Sequence, residues 1–257
     1  MSARRLLAVL CGVTSLCGAA GAAAQEPGAS SSEATRPKPW GVGTTYYYQT
    51  QPYGLESLTL GLPGIDPSLA ETLDVDNTTE TELLTIDHWV LPFLNLQALA
   101  GRIKTETRVE LSAVNIGIPL ADLDVKSEGL VYGGGATLGY GTDRIFGTFT
   151  GQYTAAILDE EDASVTALVL SPRLGFVAHP KAVLYAGAMY QRPSEKHTGR
   201  YAVPPFGTIE YSVKVTSSNR WNGLVGATIA LNPQWLLTAE GGFGKRHSLL
   251  AHLDYRW

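Results

Sequence analysis

Most of this chain is built from segments of about ten residues in which apolar and polar side chains alternate. The clearest is the last one, where the odd-numbered residues from Leu249 to Trp257 are apolar and those between them are mostly polar. Successive side chains of a strand point to opposite faces of the sheet. Such a segment therefore predicts a strand with one apolar face and one polar face. Similar segments recur along the chain and are separated by turn residues, which predicts an all-β fold.

Ten strands are predicted, with bounds accurate to a few residues. They cover residues 40–50, 82–90, 95–107, 128–140, 144–157, 164–177, 182–191, a segment ending at Leu231, 235–243 and 248–257. The segment that ends at Leu231 starts at an uncertain point, because Thr208–Ser218 fits an extra strand, an extension of that segment, or part of a loop hairpin. Eight and twelve strands are therefore the alternatives.

The connections between these strands alternate between short and long. Short ones lie at residues 91–94, 141–143, 179–181 and 232–234, and long ones at 51–81, 108–127, 158–163 and 192–207. Transmembrane β-barrels have short periplasmic turns and longer external loops. The connection at 244–247 is a short external one, so both ends of the barrel fall on the periplasmic side and the strand number is even.

The amino terminus has the layout of an export signal. Arg4 and Arg5 precede an uncharged apolar run from Leu6 to Gly21, and three alanines then lead to Gln25. We therefore predict a cleaved signal peptide at 1–24. A leader rich in Pro, Ser and Gly follows at 25–39, and a barrel domain occupies 40–257. Both cysteines lie in the signal, so the predicted mature chain has no disulfide, thiolate metal site or cysteine nucleophile.

The charge and hydropathy of the mature chain exclude two classes of protein. The full chain has a formal net charge of −5, and loss of the two signal arginines leaves 17 basic against 24 acidic residues, or −7. This balance argues against nucleic-acid binding. No mature segment offers the roughly 20 apolar residues of a membrane helix. Without helices, a chain crosses a membrane only as a closed barrel. Lipid offers no hydrogen-bond partners, so every backbone amide within it must be paired with another strand.

The strand at 164–177 contains a proline that interrupts its apolar row. Pro172 cannot donate a backbone hydrogen bond to a neighbouring strand. We expect a β-bulge at this position or, alternatively, a change of register.

The carboxyl terminus and the strand ends resemble those of small bacterial outer-membrane β-barrels. The chain ends on an aromatic residue, and further aromatics stand near predicted strand ends, at Tyr140, Tyr190, Trp221 and Trp235. The resemblance implies a closed antiparallel transmembrane barrel in the bacterial outer membrane, surrounded by its lipid. It also implies an assembly signal formed by Leu253, Tyr255 and Trp257, which the barrel-assembly machinery would bind.

Polar residues that share the inward phase of the strands are the main candidate site. They are Asp87, Gln152, Arg173, Asn222, Glu240, His252, Asp254 and Arg256. Such a set could form a proton relay, a binding site or a constriction. The structural interpretation is a buried salt-bridge network, since small barrels are filled by side chains. The short 232–234 turn predicts that Glu240 lies beside Gly226, and the next turn brings it near His252.

Two further groups of residues suggest a calcium site and a hydrolase site, and each also has a simpler interpretation. Asp74, Asp76, Asn77 and Glu80 offer closely spaced oxygen ligands of the kind that calcium prefers, but they fit a solvated acidic loop as well. The chain resembles outer-membrane aspartyl proteases only in size and strand number, and no histidine stands two residues from an aspartate in the order that they require. His247 and Ser248 are adjacent and so point to opposite faces, which disfavours a hydrolase nucleophile pair. No cofactor is predicted.

The sequence leaves three functions in contention. The first is a barrel with a structural or surface-interaction role and no catalysis. The second is a narrow channel or transporter for small or hydrophobic solutes, and the third is a hydrolase at the outer rim that acts on lipid or peptide. A soluble antiparallel sandwich is the alternative fold, because its strands alternate as well.

Overall fold

A computed structural model shows an antiparallel sheet that closes on itself. It describes residues 38–60, 75–109, 123–159, 164–203, 207–216 and 220–257. The strands are β1 (Trp40–Leu60), β2 (Val75–Leu91), β3 (Leu94–Val109), β4 (Leu123–Gly141), β5 (Ile145–Leu158), β6 (Ser164–His179), β7 (Ala182–Val203), β8 (Gly207–Thr216), β9 (Trp221–Ala230), β10 (Trp235–Phe243) and β11 (His247–Arg256).

Ten of these strands form the barrel wall. Neighbours along the chain pair with one another from β1 to β7, β7 then pairs with β9, and β11 returns to pair with β1. The closing pair runs from Gly41 opposite Arg256 to Thr50 opposite His247. The structure thus confirms a closed ten-stranded antiparallel barrel, with the terminal strand as its closing element.

The strand β8 lies outside this ring of ten. It pairs with the outer part of β7, from His197 to Val203, and with the outer part of β1, from Gly54 to Leu60. It therefore bridges β7 and β1 beyond the ends of the shorter strands β9, β10 and β11. In this outer part β1, β8 and β7 form a three-stranded sheet, which begins where the ladders of β1 with β2 and of β6 with β7 end. The segment for which the sequence left three choices is an extra strand.

Two predicted loops are largely strand, so their prediction was wrong. The connection assigned to 51–81 is occupied by β1 up to Leu60 and by β2 from Val75, and the connection assigned to 192–207 is occupied by β7 up to Val203. In the extension of β2 both faces are polar where side chains are described: Asn77 and Thr79 are buried inside, while Asp76 and Glu80 are exposed outside. Alternation of apolar and polar residues cannot reveal a strand that has no apolar face.

The bulge expected at Pro172 is also absent, and the register does not change there. Pro172 pairs with Phe149 in an uninterrupted ladder between β5 and β6. On the other side, pairing with β7 stops at Leu170 and resumes at Arg173 in the same register. The missing amide donor is thus accommodated by a short gap in one ladder, without an extra residue.

The outward face of the barrel is apolar along its membrane-crossing part. The exposed large side chains include Val42, Leu84, Ile86, Leu96, Leu138, Phe149, Leu174, Leu184, Val225, Ile229, Leu237 and Leu249. Aromatic side chains mark both edges of this belt. Trp40, Tyr140, Trp235 and Trp257 lie at the end with the short turns, and Tyr46, Tyr132, Tyr153, Trp221 and Phe243 lie towards the other end.

This belt decides the environment of the barrel. A soluble sandwich would bury its apolar face between two sheets, whereas here the apolar face is turned outwards and the polar face inwards. A closed barrel with an outward apolar band, aromatic edges and short turns at one end is the architecture of an integral outer-membrane protein. Among the residues that the structure describes, no helix is long and apolar enough to cross a membrane.

Candidate functional site

The inner surface of the barrel is the place where polar and charged side chains meet. The structure places all eight predicted residues on this surface: Gln152, Arg173, Asn222, Glu240, His252 and Asp254 are buried, and Asp87 and Arg256 are half-buried at its base. Apolar side chains share the interior, among them a cluster that contains Tyr47, Leu83, Leu99, Ile103 and Leu250. Side chains therefore fill the described part of the lumen, as in other barrels of this size.

Arg173 of β6 and Glu240 of β10 form a buried ion pair. Arg173 donates from Nε to Glu240 Oε2 at 2.8 Å and from Nη2 to Oε1 at 3.2 Å, a bidentate geometry that fixes both groups. Their side chains are only 2% and 3% exposed. Two strands, β7 and β9, separate β6 from β10 in the wall, so this pair crosses the lumen as a chord.

Glycines on neighbouring strands make room for this pair. Gly187 is the register partner of Arg173, and a Cβ there would lie 2.9 Å from the Arg173 Cγ atom. Gly226 is the register partner of Glu240, as the sequence predicts, and its missing side chain leaves space for the Tyr185 ring. That ring lies under the guanidinium of Arg173, with 5.7 Å between Cζ and the ring centroid. The aromatic face adds a cation–π contact to the ion pair.

A second cluster closes the base of the barrel around Arg256. Its Nη2 donates to Asp87 Oδ1 at 2.8 Å and its Nη1 donates to Asp254 Oδ2 at 2.9 Å. Asn95 donates a further hydrogen bond to Asp87. Asp87 lies on β2 and Arg256 on β11, so their contact passes over β1. It can do so because Gly41 of β1 presents no side chain between them.

The same cluster binds Lys38, two residues before β1. Arg256 donates from Nη2 to the backbone oxygen of Lys38 at 3.3 Å, and the Lys38 ammonium donates to the backbone oxygen of Pro233 at 2.7 Å. The backbone amide of Trp257 donates to the oxygen of Trp40 at 3.1 Å. The first and last strands are therefore joined at the base by both backbone and side-chain contacts.

His252 lies above this cluster and contacts β1. Its Nδ1 is 2.9 Å from the Thr45 hydroxyl oxygen, and Thr238 is its register partner on β10. Glu240 is two residues further along that strand and binds Arg173 rather than His252. The imidazole lies against the bare backbone of Gly43, where a Cβ would be 2.5 Å from the His252 Cε1 atom and 3.0 Å from the Leu253 carbonyl oxygen.

The contact between His252 and Gly43 predicts a specific sensitivity. We expect Gly43→Ala to lower the free energy of unfolding by about 1–3 kcal/mol, because the added methyl group overpacks a filled interior. Gly241→Ala is the matched control, since nothing lies within 4 Å of a Cβ at that position, and we expect a change of about 0.5 kcal/mol or less. Urea unfolding of both variants in lipid vesicles gives the two values, and equal effects would contradict the prediction.

Several inward residues were missed by sequence reasoning. Asn222 was predicted, but its partners around the β10–β11 turn were not. Its side-chain amide faces the carbonyl oxygens of Phe243 and Arg246. The side chain of Arg246 is also buried, and it donates to Gln191. Threonine pairs between neighbouring strands were missed as well, such as Thr137 with Thr150 at 2.9 Å. The sequence did contain a signal for the largest inward side chains, namely the glycines at inward positions of the neighbouring strands, because such glycines lie against bulky side chains.

The weaker candidate sites are divided between the two faces of the wall. Asp76 and Glu80 point outwards, whereas Asn77 points inwards and donates to Thr105 and Thr107 at 2.8 Å. Asp74 lies outside the described residues. In the part of the chain that the structure describes, no three His, Cys, Asp or Glu side chains are grouped to hold a metal ion. His247 is exposed on the outer face, and Ser248 is half-buried on the inner face.

The three residues of the predicted assembly signal lie on the outward face of β11. The Tyr255 ring lies 5.0 Å from that of Trp235 and 5.8 Å from that of Trp257, measured between centroids. Leu253 pairs with Thr44 on one side and Leu237 on the other. These side chains form part of the aromatic edge at the periplasmic end. Recognition by the barrel-assembly machinery stays a prediction from the sequence.

Comparison with known proteins shows likeness in architecture only. No family model matches the chain, and no curated protein matches it. Among solved structures, OprG from Pseudomonas aeruginosa is 10% identical with a TM-score of 0.48, and covers 86% of this chain and 98% of its own. The translocator domain of autotransporter NalP from Neisseria meningitidis is 14% identical with a TM-score of 0.45, and covers 86% of this chain and 89% of its own. The outer-membrane protease OmpT from Escherichia coli is 8% identical with a TM-score of 0.44, and covers 86% and 97%.

Proposed function

We propose that this protein is a closed outer-membrane barrel with a structural or surface-interaction role and no catalysis. The observation that carries the proposal is the chord formed by Arg173 and Glu240. A bidentate ion pair that is 2–3% exposed leaves no water around either charge, and it crosses the lumen between strands that are not neighbours. The cluster around Arg256 fills the base below it in the same manner.

The outer part of the barrel supplies the surface for interaction. A transmembrane strand needs about 9–11 residues to cross the bilayer. β1 has 21 residues and β7 has 22, so both continue well beyond the membrane. β8 joins these two extensions into one sheet. The edges of β1 and β7 that face β8 are therefore paired, which suits a stable surface exposed to the outside of the cell.

The proposal predicts the electrical behaviour of the barrel. We expect the purified protein to show no stable unitary conductance in a planar bilayer, because its lumen is filled. A general porin in the same apparatus is the positive control for insertion and detection. Stable conductance steps that change size in Glu240→Gln, but not in the outward-facing control Lys104→Gln, would mean that ions pass Glu240. That result would replace this proposal with the narrow channel.

A further inference from the structure

The outward faces of β2, β3 and β4 carry a group of charged side chains just beyond the lipid-facing belt. We call this group the β2–β4 charged face. Its members are Asp76, Glu80 and Glu82 on β2, Arg102, Lys104, Glu106 and Arg108 on β3, and Lys126 and Glu128 on β4. In the register of the sheet, Glu82 faces Arg102 and Glu80 faces Lys104, while Lys104 also faces Glu128.

This face continues the membrane-facing surface without interruption. On β2 the outward residues run from Ile86 and Leu84 directly to Glu82, and on β4 from Tyr132 and Leu130 directly to Glu128. Leu130 is 61% exposed and is the register partner of Arg102. The charges therefore begin where the apolar belt ends, which is the level of lipid headgroups. An aromatic side chain such as Tyr132 is typical of that level.

Among the outward side chains that the structure describes, charges cluster on β2, β3 and β4, while single ones such as Arg192 on β7 stand elsewhere. On β5 and β6, none of the outward side chains that the structure describes is charged, and Tyr153, Ile157 and Leu168 occupy the corresponding outer part. The cluster on β2, β3 and β4 therefore brings several charged side chains together at one place on the wall.

The ion pairs within this face are weak enough to exchange. Lys104 lies 3.5 Å from Glu128, and Lys126 lies 3.2 Å from Glu106, with side chains that are 43–71% exposed. Exposed pairs of this kind contribute little to stability. Arg102 is exposed, and within the described part of the chain it makes no ion pair. It is also the cation of β3 nearest to the apolar belt.

We infer that Arg102 and Lys104 bind the phosphate groups of lipids in the outer leaflet of the membrane. A guanidinium matches phosphate oxygens in a bidentate manner, and an adjacent ammonium adds a point charge. Basic side chains at the membrane surface bind anionic headgroups with a gain that accumulates with each cation. The acyl chains of such a lipid would lie along the apolar belt directly below, against Leu130 and Tyr132.

The carboxylates on β2 lead to a prediction of opposite effects on lipid binding when acids or cations are removed. Glu80 and Glu82 face the two cations across the strand pair and repel a phosphate group. Removing these acids will therefore strengthen binding, whereas removing the cations will weaken it. If this face served only to form cross-strand ion pairs, removing the acids and removing the cations would have the same effect, because each change would only break the pairs.

The experiment titrates the folded barrel, in uncharged detergent micelles with EDTA, with diphosphorylated lipid A, and counts bound lipid by native mass spectrometry. We expect Arg102→Gln/Lys104→Gln to weaken lipid A binding about 25-fold, the product of roughly fivefold for each cation. Glu80→Gln/Glu82→Gln will tighten it. The matched control Arg192→Gln/Lys245→Gln removes two exposed cations from the outer side of β7 and the β10–β11 turn, and its affinity will change less than twofold.

Three outcomes would overturn the inference. The first is equal weakening in the control pair, which would show a general effect of net charge. The second is unchanged affinity in Arg102→Gln/Lys104→Gln, with folding checked by its faster gel migration before boiling. The third is full competition by inorganic phosphate at the concentration of lipid A, which would assign the site to a free anion. If the arginine variant fails to fold, the tightening expected for Glu80→Gln/Glu82→Gln decides the question alone.

Discussion

Replacing Glu240 by Leu will lower the free energy of unfolding by about 3–5 kcal/mol, because it leaves the Arg173 guanidinium buried without its counter-charge. Replacing Arg173 by Met will have an effect of the same size, since it strands the Glu240 carboxylate instead. Both side chains are 2–3% exposed, so water cannot replace the missing partner.

The double variant separates the pair from its surroundings. We expect Arg173→Met/Glu240→Leu to recover most of the loss, because two apolar side chains of similar volume leave no buried charge behind. Equilibrium unfolding in urea with lipid vesicles gives the four corners of this double-mutant cycle. Lys104→Met/Glu128→Leu supplies a matched cycle on the outward face, where the exposed pair at 3.5 Å should couple by less than about 1 kcal/mol. Similar coupling in the two cycles would show that the Arg173–Glu240 pair is not effectively buried.

Replacing Arg256 by Met will destabilise the barrel by about 2–4 kcal/mol, a little less than at Arg173, because this cluster is only partly shielded from water. Arg256 is the donor to Asp87, to Asp254 and to the backbone of Lys38. Its loss leaves two neighbouring carboxylates without a cation at the junction of β1, β2 and β11. We also expect slower insertion into vesicles, since these contacts join the first and last strands.

The rescue variant for this cluster is Arg256→Met with Asp87→Asn and Asp254→Asn. Neutral amides do not repel each other, so the triple variant should regain at least half of the lost stability. Arg144→Met is the control, because Arg144 is exposed in the periplasmic turn before β5, and its effect should stay within about 0.5 kcal/mol. Urea midpoints and the rate of appearance of the fast-migrating folded band measure the two effects. A loss in Arg256→Met no larger than in Arg144→Met would contradict the role of Arg256 as the central donor.

Within the membrane, sequence reasoning predicted which side chains face inwards. Alternation gave the inward phase of Arg173, Glu240 and His252, because one face of each strand contacts lipid and must be apolar. The same contrast predicted ten strands and the place of the terminal strand in the wall. Beyond the membrane both faces contact polar surroundings, so the contrast disappears. Alternation therefore predicts loops for the outer parts of β1, β2 and β7, which the structure shows as strands.

Partners inside the lumen could not be predicted from the sequence in the same way. Arg173 and Glu240 are 67 residues apart, and Asp87 and Arg256 are 169 residues apart. Which inward groups meet depends on the register of every ladder between them and on closure of the wall. The glycines at 43 and 226 show the same dependence, because the side chains of His252 and Tyr185 from neighbouring strands occupy the space beside them.

The sequence by itself therefore determined the class of the molecule, namely a closed barrel with an apolar exterior, a polar interior and an aromatic terminal strand. It did so because period-two alternation is a local property that lipid imposes on each strand separately. Only the tertiary structure decided that specific ion pairs lie in the lumen, that β8 joins the outer parts of β1 and β7, and that the charges of β2, β3 and β4 form one face. Each of these depends on contacts between distant strands, which local alternation does not encode.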